Sequence, residues 1–144
     1  MAKAKNIAFK TVPFKAILAR AEKRKGGPGG LKKLLPDKPS SKELEKIPDD
    51  RMLAEMTRRV FSAGFAWSVI EQKWPGFEKA FLGFKPAKLT FQPDDFWHDL
   101  LSDTAIVRNG AKINSVRENA AFVEEITKEH GSFGKFLAKW PSSD

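Results

Sequence analysis

The sequence predicts an all-α protein, and two observations carry that prediction. Apolar residues recur at helical spacing, as in Phe14, Ile17, Leu18 and Ala21, in Leu53, Met56 and Val60, and in Ile113, Val116, Ala120, Val123 and Ile126. Between Val60 and Ile70 only Ser62 and Ser68 are polar among apolar or glycine positions, so a helix there is hydrophobic nearly all round and must be buried. Upstream, Arg51, Glu55, Arg58 and Ser62 fall on the side opposite Leu53, Met56 and Val60, which predicts one central helix over 51–72. Pro75 and Gly76 are expected to stop it, since proline lacks the helical donor and glycine relieves the turn. Val60, Gly64, Trp67 and Ile70 should share its buried face, with Gly64 letting a neighbouring helix come close.

The remaining elements follow in order. Residues 1–13 read as an extended leader, and Phe14 to Ala21 as a short helix running into the basic EKRK at 22–25. The glycine run from Gly26 to Gly30 is a break. It is not a phosphate loop, because no Gly-Lys-Ser/Thr opens a helix behind a buried strand. Leu31, Leu34 and Leu35 give one more turn before Pro36. The polar segment 37–50 is a linker in which Ser40 or Ser41 caps a short turn, and Asp49 or Asp50 is expected as N-cap of the long helix. Beyond Trp74, short helices are predicted at Phe77 to Phe84, at Pro86 to Phe91, and from Pro93 to about Asp103. Asn109 and Gly110, both tolerant of left-handed backbone, should make a tight connection into the helix carrying Ile113 to Ile126. His130-Gly131 closes that helix, and Ser132 caps a last one through Trp140.

A chain of 144 residues with 41% hydrophobic content is long enough for one respectable core. It has no Cys, which excludes disulfides and thiolate metal sites and fits a reducing, cytoplasmic setting. No apolar run approaches the roughly 20 residues that span a bilayer, so no membrane partner is expected. The formal charge of +8 is uneven. Residues 1–50 carry 13 Lys and Arg against 6 acids, and residues 51–144 carry 13 against 12. The expected organisation is therefore a basic segment and linker at 1–47 followed by a balanced helical domain at 48–144. Such a basic arm suits a polyanion, nucleic acid before membrane, or serves only to solubilise.

Several segments, in this order, resemble the 3-methyladenine DNA glycosylase I family of the helix-hairpin-helix glycosylase superfamily: AGFAW at 63–67, FEKAFLGFKPAKL at 77–89, DTAIVRNGAKI at 103–113, Asn119-Ala120, and GSFGKFL at 131–137. The resemblance covers roughly residues 48–140. It implies an all-α helix-hairpin-helix glycosylase-like domain. It also implies a monomer that binds double-stranded DNA, takes an alkylated purine into a pocket and hydrolyses its N-glycosidic bond without a cofactor. A ring-methylated base is a cation and a good leaving group, so the chemistry asks for an aromatic wall and a carboxylate rather than a strong acid. Trp67 matches the pocket tryptophan of the family. Phe61, Phe65 and Trp74 are either further walls or core.

The sequence departs from the family at three points. The base-contacting glutamate of the family lies eight residues before the pocket tryptophan, and Arg59 stands there in this chain. Glu55, one turn earlier, and Glu71, one turn after Trp67, are the candidate carboxylates, each also readable as a solvated helix acid. The family zinc site uses Cys and His ligands, whereas this chain has no Cys and only His98 and His130, so no metal is expected. The family also continues past GSFGKFL into a DNA-gripping hairpin, so the resemblance implies that a C-terminal part is missing. The turn Arg108-Asn109-Gly110-Ala111-Lys112 is a candidate DNA-phosphate site, with amides at a helix start beside two cations, or simply a helix connection. The function implied is alkylated-purine excision. The alternatives are a non-catalytic DNA- or lesion-binding protein of the same fold and a helical protein-interaction module.

Overall fold

The computed structural model of the protein describes residues 11–141, and every regular element among them is helical. The expected leader falls largely outside that range. The chain divides into two units, residues 1–38 and 39–144. The first holds α1 (Phe14–Arg24) and α2 (Gly27–Lys32), so the second helix begins inside the glycine run rather than after it. Pro28 makes this possible, because it stands in the first turn of α2, where its missing N–H is no loss.

The second unit contains α3 (Ser41–Glu45), α4 (Asp49–Ser62), α5 (Trp67–Ala80), a 3₁₀ turn (Leu82–Phe84), α6 (Pro86–Thr90), α7 (Asp94–Asp99), α8 (Gly110–His130) and α9 (Phe133–Ala138). Ser40 opens α3 with a full capping box: its hydroxyl accepts from the Glu43 amide, and the Glu43 carboxylate accepts from the Ser40 amide at 2.7 Å. α3 packs on α9, and α8 is the spine against which α4, α6 and α9 lie. Ile113, Val116, Ala120 and Val123 form its buried stripe, as the periodicity predicts.

The central stretch differs most from expectation. It is not one helix over 51–72 but two, broken at residues 63–66. Ala63 is extended, and Gly64 follows with φ 76°, the left-handed conformation that ends helices at low cost only for glycine. A Cβ at Gly64 would meet nothing within 4 Å, so this glycine turns the chain and admits no neighbouring helix. The shared buried face fails with it. Ile70 is fully buried, whereas Trp67 is 57% exposed. A nearly all-apolar run carries no phase information, and so cannot show where one helix ends and another begins.

Pro75 and Gly76 do not stop the helix either, since both lie inside α5. Gly76 is there for proximity. A Cβ would fall 2.4 Å from the carbonyl oxygen of Ala105, so only glycine lets the loop before α8 lie against α5, where Lys73 Nζ also donates to the Thr104 carbonyl at 2.8 Å. Asp49 is the first residue of α4 rather than its cap, which is Pro48. Its carboxylate instead accepts from the Phe133 amide at 2.9 Å and the Thr127 hydroxyl at 2.7 Å, satisfying an orphan donor at the start of α9. Asn109 has φ −123° and N-caps α8 through its side chain, which accepts from the Lys112 amide, so the expected left-handed pair is not used.

The core is aromatic. Phe61, Phe77, Phe81 and Phe84 are fully buried, Phe61 edge-on to Phe77 at 4.7 Å and Trp74 stacked on both Phe77 and Phe84. These contacts join α4, α5 and the 3₁₀ turn into one block.

Candidate functional site

The elbow between α4 and α5 presents apolar side chains to solvent in sequence: Phe65 is 42% exposed, Trp67 57% and Val69 36%. Arg59, on the last turn of α4, lies over the Trp67 ring at 5.2 Å and pairs with Glu55 at 2.6 Å. Three of the sequence-predicted residues, Glu55, Arg59 and Trp67, thus meet at one place. Phe61 does not join them, because its ring is wholly enclosed against Phe77 and Phe81.

Glu71 lies on the other flank, paired with Arg58. Arg58 covers the Trp74 ring at 4.1 Å, and the Trp74 indole donates to Glu78 at 3.0 Å. Arg51 closes this series with a two-pronged bond to Glu78, at 2.7 and 3.1 Å, and a third bond to the Gly83 carbonyl. Hydrogen bonding and charge from Arg51 hold the Glu78 carboxyl below the usual carboxylate range and raise the Arg51 guanidinium in turn. Both candidate carboxylates, Glu55 and Glu71, are therefore already paired with arginine.

At the start of α8, Arg108 is exposed and Asn109 caps its own helix. Gly110 is the first helical residue. Lys112 turns inward: its ammonium donates to the carbonyls of Phe61 at 3.1 Å and Ala63 at 2.6 Å. The sequence offers Lys112 as a cation for DNA phosphate or as ordinary surface charge, and no signal in the chain shows that its reach ends on α4. Two depressions lie elsewhere. One of about 420 Å³ is lined by Asp94, Asp95, Trp97, His98, Leu101 and the start of α8, and one of about 320 Å³ lies beside Phe91. Among the described residues no three or more His, Asp or Glu side chains gather as metal ligands, and no helix is long and apolar enough to cross a membrane.

A family model described as methyladenine glycosylase matches residues 44–143. The chain belongs to the methyladenine glycosylase family. Its fold agrees with solved structures of 3-methyladenine DNA glycosylase I. One is 21% identical, with a TM-score of 0.59 over 62% of this chain and 50% of that chain. A glutamate-to-glutamine mutant from Staphylococcus aureus is 26% identical, with the same TM-score over 62% of this chain and 48% of its own. A tyrosine-to-phenylalanine variant in complex with 3-methyladenine is 26% identical, with a TM-score of 0.59 over 63% and 50%. The chain thus spans about half the length of the solved structures it matches. Within the methyladenine glycosylase fold, the elbow and its arginines lie inside the matched segment.

Proposed function

We propose that this protein acts in DNA base excision, hydrolysing the N-glycosidic bond of alkylated purines in duplex DNA. The observation that carries this reading is the exposed indole of Trp67 at the α4–α5 elbow, in a chain of the methyladenine glycosylase family. An aromatic face open to solvent can stack on an extruded base, and a structural relative is described in complex with 3-methyladenine. Glu55 and Glu71 flank the elbow, each paired with an arginine, and are the carboxylates that would have to leave those pairs to support an oxocarbenium-like sugar or orient water. Arg108, the amides opening α8 at Gly110 and the Asn109 turn supply a place for phosphate, and the basic residues of 1–35 supply a second.

The test is release of methylated adenine from alkylated duplex. Base stacking is worth about 1–3 kcal/mol, so Trp67→Ala should lower release by roughly 10- to 100-fold. Loss of activity in Glu55→Gln or Glu71→Gln, with folding and DNA binding retained, identifies the carboxylate. Removing residues 1–35 should flatten the salt dependence of duplex binding and leave sequence preference unchanged. A second reading, lesion binding without cleavage, is favoured by Arg59, whose guanidinium covers Trp67 and occupies Glu55. Retained duplex binding with no base released selects it.

A further inference from the structure

Lys112 is tied at both ends. Its amide donates to the Asn109 side chain at the start of α8, and its ammonium donates to the carbonyls of Phe61 and Ala63 at the end of α4. The same ammonium lies 5.1 Å from the centre of the Phe65 ring and 5.9 Å from that of Phe61. The last carbonyls of a helix have no intrahelical donor and carry the negative end of its dipole, so a cation there satisfies acceptors and stabilises the terminus together. Only residues 64–66 separate this anchor from Trp67. Their backbone is short and turned, with Phe65 N–H bonded to the Ser62 carbonyl and Val69 N–H to that of Ala66. Whatever fixes the end of α4 therefore fixes the direction in which Phe65 and Trp67 are presented.

We propose that Lys112 is a positioning residue for the base-binding aromatic face. By pinning the end of α4 to the start of α8 it sets the elbow, and in doing so it is withdrawn from phosphate. Arg108 is then the cation of this turn left to meet DNA. The first part rests on the reading that Trp67 receives the base; the pinning itself does not.

The experiment compares the full 144-residue chain with Lys112→Met, which keeps the apolar stem, Lys112→Arg, which can still reach two carbonyls, and Arg108→Ala. Lys112→Met should speed amide exchange at Ala63, Phe65 and Val69, whose N–H groups bond to Val60, Ser62 and Ala66, by about ten-fold or more, with Val123 inside α8 unchanged. It should also weaken free 3-methyladenine, followed on the Trp67 indole signal, by about ten-fold or more. The salt slope of duplex binding should stay the same in Lys112→Met and fall by about one in Arg108→Ala. Lys112→Arg should recover most of both losses. The proposal is overturned by an unchanged elbow, by uniform loosening that includes Val123, or by a slope that drops in Lys112→Met. If the wild type takes up no 3-methyladenine, the base-binding reading fails and the exchange measurement still decides the pinning.

Discussion

Arg58 and Arg59 are adjacent, and each lies over a tryptophan while holding a glutamate, yet the two pairs serve different ends. Arg58 over Trp74 is part of the packing: the indole is stacked between Phe77 and Phe84 and its N–H is held by Glu78. Arg59 over Trp67 is open, with the arginine side chain 62% exposed. The two tryptophans are seven residues apart, which on an α-helix returns to nearly the same face, within ~20°. Facing direction therefore does not separate them; position along α5 does. Trp67 is the first residue of α5, at the elbow, and Trp74 lies about two turns further on, against the aromatic block, so one indole is structural and the other is exposed.

The sharpest break of this comparison is in stability. Phe77 is fully buried between Phe61, Trp74 and Phe81, and truncating such a ring costs about 3–5 kcal/mol. Phe77→Ala should lower urea-unfolding stability by that order, whereas Trp67→Ala should cost under ~1 kcal/mol because most of its surface is already wet. Comparable losses would place Trp67 in the core.

Next in size is the hinge between the two regions. Gly64 sits at φ 76° with open space where a Cβ would go, so Gly64→Ala meets backbone strain and no clash. The left-handed region costs a residue with a side chain about 1–2 kcal/mol, and that loss is expected on urea unfolding. A neutral result would mean that the elbow relaxes, and the Trp67 indole signal should then move.

The sequence displayed the closed region far better than the open one. The α8 stripe from Ile113 to Val123 and the caps at Ser40 and Ser132 follow from local chemistry that a linear reading contains. The hinge at Gly64 was hidden because neighbours on both sides are apolar, so a buried helix and a broken one have the same pattern. Pro75 misled for a related reason: its missing donor removes one helical bond, and the packing of Ile70 and Phe77 carries α5 past it. The resemblance pointed to Trp67 and Arg59, and the structure adds that the two touch. Asp49 and Lys112 escaped because each acts on a partner far along the chain, Phe133 and Phe61 respectively, and spacing records only near neighbours.

A smaller effect distinguishes the closed region by pH. The Arg51–Glu78 pair lies under Trp74, and the Glu78 carboxyl is held below its ordinary value by Arg51. A depressed folded value means the charged form favours folding. The contribution is complete above the unfolded carboxylate value of 4.5 and is lost as pH falls from there through the lower folded value. Wild type should lose more stability than Glu78→Gln over that acid window, and the two curves should run parallel above it. Parallel curves throughout would remove the ion pair from the stability of the block. The partial exposure of both side chains keeps the expected difference modest.

The smallest stability effect is at Arg59, and it bears on the open region most directly. An exposed cation–π contact is worth about 0.5–1 kcal/mol, so Arg59→Ala should barely change unfolding. Its effect on binding should be opposite in sign. The guanidinium occupies the face on which a base would stack, and a ring-methylated purine is itself a cation, so the two compete for one ring and repel each other. Removing Arg59 also leaves Glu55, which it holds at 2.6 Å, with only the longer 3.7 Å contact to Arg58, so that the carboxylate attracts the incoming charge more strongly. Arg59→Ala should therefore bind the cationic nucleoside 7-methylguanosine more tightly than wild type, with neutral guanosine little affected, and Trp67→Ala should abolish the gain. Titration of the indole fluorescence difference between Arg59→Ala and the double variant measures it. If Arg59→Ala instead weakens both nucleosides, the arginine is a binding group of the site rather than a cover over it, and the resemblance between the Arg58–Trp74 and Arg59–Trp67 pairs is one of function as well as geometry.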